Sequence, residues 1–143
     1  MTELTFRRIH RATPELLFAC MTTPEHLTHF WGPEGTATPV ENITVDLRPG
    51  GAFETTMVNQ GDGGTYTMRA VYVEVERPDR LVWRDVESAM LTTVTFVDLH
   101  DGRTEVVTHQ VQVPAPMASP QAQSGFLTSL DRFDTYVIEG ARP

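Results

Sequence analysis

Ser119-Pro120-Gln121-Ala122-Gln123-Ser124-Gly125-Phe126-Leu127-Thr128-Ser129-Leu130-Asp131-Arg132-Phe133-Asp134-Thr135-Tyr136-Val137-Ile138-Glu139-Gly140 is the stretch that decides the fold. Ser119 is a natural N-cap and Pro120 suits the first helical position, where no backbone N–H is needed. Ala122, Phe126, Leu130, Phe133 and Val137 then recur at helical spacing and give one apolar stripe. Gly140 suits the left-handed residue that closes a helix. Such a helix, about 30 Å long, is the longest element of the chain and needs a broad apolar partner.

That partner is written upstream. Stretches rich in Thr, Val and aromatics lie at about 42–48, 51–59, 65–77, 80–87, 90–100 and 103–113. Turn formers separate them: Arg48-Pro49-Gly50-Gly51, Gly61-Asp62-Gly63-Gly64, Arg77-Pro78-Asp79-Arg80, Glu87-Ser88 and Asp101-Gly102. Links this short predict sequential antiparallel neighbours. Before them, Leu4–His10 reads as a first strand. Thr13-Pro14-Glu15 opens a helix over Pro14–Met21, and Thr23-Pro24-Glu25 opens a second, running to about Trp31 and stopped by Gly32-Pro33. The expected architecture is α+β: one domain, residues 1–143, with a curved seven-stranded antiparallel sheet wrapped on the C-terminal helix and two short helices after the first strand. A cylinder cannot fill a concave sheet, so an internal cavity is expected.

Composition removes several classes of function. Among 143 residues, 19 acids face 11 bases, leaving a net charge of −8. Nucleic-acid binding is not expected, because it draws on clustered cations. All eleven bases are Arg, which excludes a Schiff-base lysine and a P-loop lysine. No apolar run is long enough to span a bilayer, and the N-terminus has no apolar signal core, so no membrane insertion is expected. A lone Cys20 forms no internal disulfide. These features fit a cytoplasmic protein.

The chain resembles the START-like (SRPBCC) superfamily with its helix-grip fold, and within it the family named after the C-terminal domain of the Hsp90 ATPase activator. The likeness covers about residues 4–138. It is carried by Arg11-Ala12-Thr13-Pro14-Glu15-Leu16-Leu17-Phe18, Thr23-Pro24-Glu25-His26-Leu27, Phe30-Trp31-Gly32-Pro33 and Asp46-Leu47-Arg48-Pro49-Gly50-Gly51-Ala52-Phe53. It continues through Val73-Glu74-Val75-Glu76-Arg77-Pro78-Asp79-Arg80-Leu81-Val82 and Ser124-Gly125-Phe126-Leu127-Thr128-Ser129-Leu130. The family's usual Gly-Trp is Gly125-Phe126 here, and a common Gly in the fourth strand is Ala70. The N-terminal domain that accompanies this module in eukaryotic co-chaperones has no counterpart in these residues. The resemblance implies an internal cavity and leaves the activity open.

Candidate chemistry is sparse. Gly50-Gly51 lacks the helix and lysine of a phosphate loop and reads as a turn or bulge. His26 and His29 share a helix face without a third ligand, and His10, His100 and His109 have no partner spacing, so no metal and no cofactor is expected. There is no nucleophile elbow, and Cys20 sits among apolar neighbours as a structural thiol. Strand parity sends Val71, Val73 and Val75 inward, with Thr67 and Arg69 on the same side. It sends Trp83 inward with Asp85, and Val106 inward with Thr108 and Gln110. Trp31, Phe53, Met57, Phe96, Phe126 and Leu130 complete the expected ligand-binding set. Arg69 and Asp85 are the candidate catalytic pair, as anion holder and general base. The leading expectation is binding of a small hydrophobic or amphipathic ligand: a lipid, polyketide or aromatic metabolite. The alternatives are a metal-independent cyclase, dehydratase or hydrolase using the same cavity, and a chaperone-associated interaction module. Exposed apolar edges leave a homodimer open.

Overall fold

The structure, a computed structural model, describes residues 2–142. Strand β1 (Thr2–His10) leads into helices α1 (Pro14–Thr22) and α2 (Pro24–Leu27). Strands β2 (Thr36–Ala37), β3 (Ile43–Val45), β4 (Ala52–Asn59), β5 (Thr65–Glu76), β6 (Arg80–Asp85), β7 (Leu91–Asp98) and β8 (Thr104–Val113) follow, and helix α3 (Pro120–Ile138) ends the fold. The sheet is antiparallel, in the order β1-β8-β7-β6-β5-β4-β2, and β3 shares the outer edge of β4 with β2. This is the expected helix-grip arrangement. One further strand is added: β2, whose two residues pair with Asn59 and Val58, is too short to leave a period in the sequence.

Local chemistry explains where elements stop. Thr13 caps α1 by accepting from the Leu16 amide, and Ser119 caps α3 by accepting from the Ala122 amide. Helix α2 ends at Leu27, short of Trp31, because the next amides bond in tighter turns (His29 to the His26 carbonyl, Phe30 to that of Leu27). β6 ends at Asp85, two residues early, since its carboxylate accepts from the Glu87 and Ser88 amides, both at 2.9 Å. The Gly50-Gly51 turn joins β3 to β4, and both residues bond the backbone of Tyr72. A Cβ on Gly51 would lie 2.0 Å from the Asp46 carbonyl oxygen, so only glycine fits there.

One irregularity corrects a reading of the sequence. A bulge in β5 between Tyr72 and Glu74 shifts its register against β6. Before it, Ala70 and Tyr72 are buried, whereas Val71 and Val73 are exposed on the outer face; after it, Val75 packs against the core. The three valines do not share one face, because the extra residue resets the alternation. Thr67 and Arg69 therefore point outward.

Helix α3 is fastened mainly at its C-terminal half. Phe133, its one fully buried side chain, lies with its ring centroid 4.5 Å from that of Phe30 and 5.0 Å from that of His10. Arg8 pairs with Asp131 at 2.9 Å and Asp134 at 2.5 Å, and Tyr136 shares a 2.5 Å hydrogen bond with Nδ1 of His26. Burial lowers the pKa of His10, partly offset by Asp134 and reinforced by Arg8; burial also lowers that of His26, with His29 adding to it and Glu25 opposing.

Two outcomes follow from this docking. Phe133→Ala is expected to cost about 3–5 kcal/mol in urea unfolding, the usual loss for a buried Phe, and Phe126→Ala less than half of that. Because burial makes both histidines harder to protonate in the fold, the unfolded chain takes up protons first as pH drops below 6.5, the ordinary value. Stability is then expected to be highest above that pH and to fall as the pH drops below it, with His10→Gln plus His26→Gln flattening the decline.

Candidate functional site

A cavity of about 440 Å³ lies between α3 and the sheet, within the ~300–1,000 Å³ range of small-molecule sites. It occupies one half of the sheet only. On β1 it takes Leu4 and Phe6, on β4 Thr55 and Met57, on β5 Tyr66 and Met68, on β6 Trp83 and Asp85, on β7 Thr92 and Val94, and on β8 Thr108 and Gln110. Further along each strand the inward residues (Phe53, Tyr72, Leu81, Phe96, Val106) are closed into the core beneath α1 and α2. The roof is the N-terminal half of α3, where Ala122, Phe126 and Leu130 are only partly buried.

The walls are soft. Met21, Met57, Met68, Met90 and Met117 all line the cavity, that is, every methionine of the chain except Met1. Thioether side chains are unbranched and polarizable, and they repack around guests of different outline. The rigid part is aromatic. Trp31 and Trp83 stand with ring centroids 6.4 Å apart, both backed by Phe53, and the Trp31 Nε1–H donates to the Thr55 hydroxyl at 3.1 Å.

Trp31, Gly32 and Pro33 reach the cavity because Arg132 holds their loop. Its Nη1 donates to the carbonyl oxygens of Gly32 (2.8 Å), Pro33 (3.2 Å) and Trp31 (3.4 Å), while the Glu34 amide donates to the Thr128 hydroxyl. Gly32 has φ +97°, and a Cβ there would lie 2.6 Å from the Met57 sulfur, so a side chain would intrude on the cavity wall. Arg132→Met is expected to orphan these carbonyls, lowering stability by about 1–3 kcal/mol. A red shift of tryptophan emission from Trp31 would accompany it.

Of the residues expected from sequence, the structure brings Trp31, Met57, Trp83, Asp85, Thr108, Gln110, Phe126 and Leu130 to the cavity. Four lie elsewhere. Thr67 and Arg69 are exposed on the outer sheet face because of the bulge. Phe53 stacks on Tyr72 at 5.4 Å, behind the tryptophans, and Phe96 packs edge-on against Phe18 in the closed half. Arg69 and Asp85 thus do not meet, and the Asp85 carboxylate is a turn cap at the cavity edge. Sequence reading missed Thr92, although the Val94–Phe96 alternation on β7 points it inward, and it missed Met68, which only the bulge reveals.

The remaining candidates are structural. His26 bonds Tyr136, and His29 stacks on the Tyr136 ring at 5.1 Å, so the two rings clasp a phenol. Among the described residues no cluster of three His, Cys, Asp or Glu could hold a metal. Burial pushes the Cys20 thiol up to about 11, far from a reactive thiolate. No helix is long and apolar enough to cross a membrane. A second depression of about 570 Å³ lies on another face of α3, lined by Thr28, Glu34, Asp131, Arg132 and Glu139, groups already at home in water.

Comparison with known proteins places this geometry. Residues 11–137 match the family model of activator of Hsp90 ATPase homolog 1-like proteins. No protein of curated function matches the chain. Among solved structures, a protein from Chromobacterium violaceum superposes with a TM-score of 0.86 at 21% identity, over 94% of this chain and 96% of that one. One from Rhodobacter sphaeroides gives 0.83 at 23% identity over 97% and 93%. A homolog 1-like protein from Aeromonas hydrophila gives 0.82 at 21% identity over 96% and 93%. At these identities the superpositions establish the fold and leave the function open.

Proposed function

The chain belongs to the activator of Hsp90 ATPase homolog 1-like family, and from its cavity we propose that it binds a small hydrophobic or amphipathic molecule between α3 and the sheet. One observation carries the reading: the N-terminal half of α3 presents Ala122, Phe126 and Leu130 to an open cavity of about 440 Å³ among the described residues. An apolar guest there removes its own surface and that of the lining from water, at about 25 cal/mol per Å². The five methionines adjust to its outline, and Trp31 and Trp83 offer flat contact. Lipids, polyketides and aromatic metabolites are the classes that suit such walls. Cys20, a buried thiol without a partner, suits the reducing cytoplasm. The enzymatic alternative loses its candidate pair, since Arg69 lies outside the cavity.

Native mass spectrometry of gently purified protein tests this. A discrete added mass that leaves on denaturation is the expected result. Ala122→Trp, which places an indole in the cavity, is expected to abolish that adduct while leaving the far-UV circular dichroism unchanged. A bare polypeptide mass that persists after incubation with apolar probes would contradict the reading.

A further inference from the structure

The cavity floor holds a hydroxyl that no group among the described residues satisfies. Thr92 is 2% exposed, lines the cavity, and its hydroxyl has no hydrogen-bond partner among the described residues. Directly across the ladder stands Gln110 on β8, with Thr108 one step along the same face. Both are nine-tenths buried and line the cavity as well. A buried hydroxyl left unpaired is costly, and its usual explanation is a missing partner. Here the open side is the cavity.

Charge narrows what that partner is. No Arg or His is among the lining residues, and the one carboxylate there, Asp85, has its Oδ1 occupied by two amides. An anionic head would leave water for a site with no cation and a carboxylate at its edge, which is unfavourable. A cationic head would have only the edge carboxylate, away from the unpaired hydroxyl. A neutral carbonyl fits the floor: its oxygen has two lone pairs, and the Thr92 O–H and the Gln110 amide N–H are both donors.

Resting on the cavity-binding reading above, we propose that the site selects uncharged ligands and that Thr92 and Gln110 hold their single polar group, a carbonyl of the ketone, ester or amide kind. Calorimetric titration at pH 7.5 with two matched pairs tests it: 2-acetylnaphthalene against 2-naphthoate, and 2-undecanone against decanoate. Within each pair a methyl ketone is exchanged for a carboxylate of nearly the same shape. Each ketone is expected to bind about tenfold or more tightly than its carboxylate. Thr92→Val, which keeps the shape and removes the hydroxyl, should weaken ketone binding about threefold to tenfold and leave plain naphthalene unchanged. The same variant should unfold at an equal or higher urea concentration, because the hydroxyl it removes is unpaired. Carboxylates binding as well as ketones, or Thr92→Val weakening naphthalene and ketone alike, would overturn the selectivity while leaving the cavity reading intact. Failure of all five probes to bind would overturn the cavity reading itself.

Discussion

A straight helix laid on a concave sheet touches it along part of its length only, and most features of this protein follow from which part touches. Phe133, Tyr136 and Val137 bring the C-terminal half of α3 into the core. Arg8 grips Asp131 and Asp134 from β1, and Arg132 reaches the loop after α2. With that half fixed, the first turns of the helix lean on β1, where the Phe126 and Phe6 ring centroids lie 4.8 Å apart, and otherwise roof the cavity. The stripe of Ala122, Phe126 and Leu130 is amphipathic for a reason other than core packing.

The sheet divides in the same place. Each long strand gives its inward residues at one end to a dense aromatic core and at the other to the cavity. Helices α1 and α2 supply Leu17, Phe18, Leu27 and Phe30 to the dense half. That half carries the stability, so the open half is free to hold residues that are poor core material: five thioethers, an unpaired hydroxyl and a carboxamide. Trp31 bridges the two halves, backed by Phe53 on one side and facing the cavity on the other.

The element order was legible in the sequence because its signals are strong and local: Thr-Pro-Glu helix starts, Gly-rich turns, and a helical stripe over residues 122–137. The β8 face was legible as well, since Val106, Thr108 and Gln110 alternate without interruption. What escaped were non-local or sub-periodic features. The β5 bulge changes parity by one residue, and no residue type announces it, so Val75 pointed the wrong way for Thr67 and Arg69. Phe53 and Phe96 do face inward, but which end of a strand lies under α1 depends on docking angles that periodicity does not encode. Asp85 read as an acid in a cavity, whereas its short reach to the Glu87 and Ser88 amides makes it a turn residue first.

Ligand binding here depends on the gap under the first half of α3. Backbone amide shifts of ¹⁵N-labelled protein titrated with 2-acetylnaphthalene test it most directly. The changes are expected to cluster at Leu4, Phe6, Thr92, Gln110 and residues 122–130, with the closed half around Leu81 and Phe96 unmoved. Shifts centred instead on the outer sheet face at Val71 and Val73, or on the polar depression at Glu34 and Arg132, would contradict it.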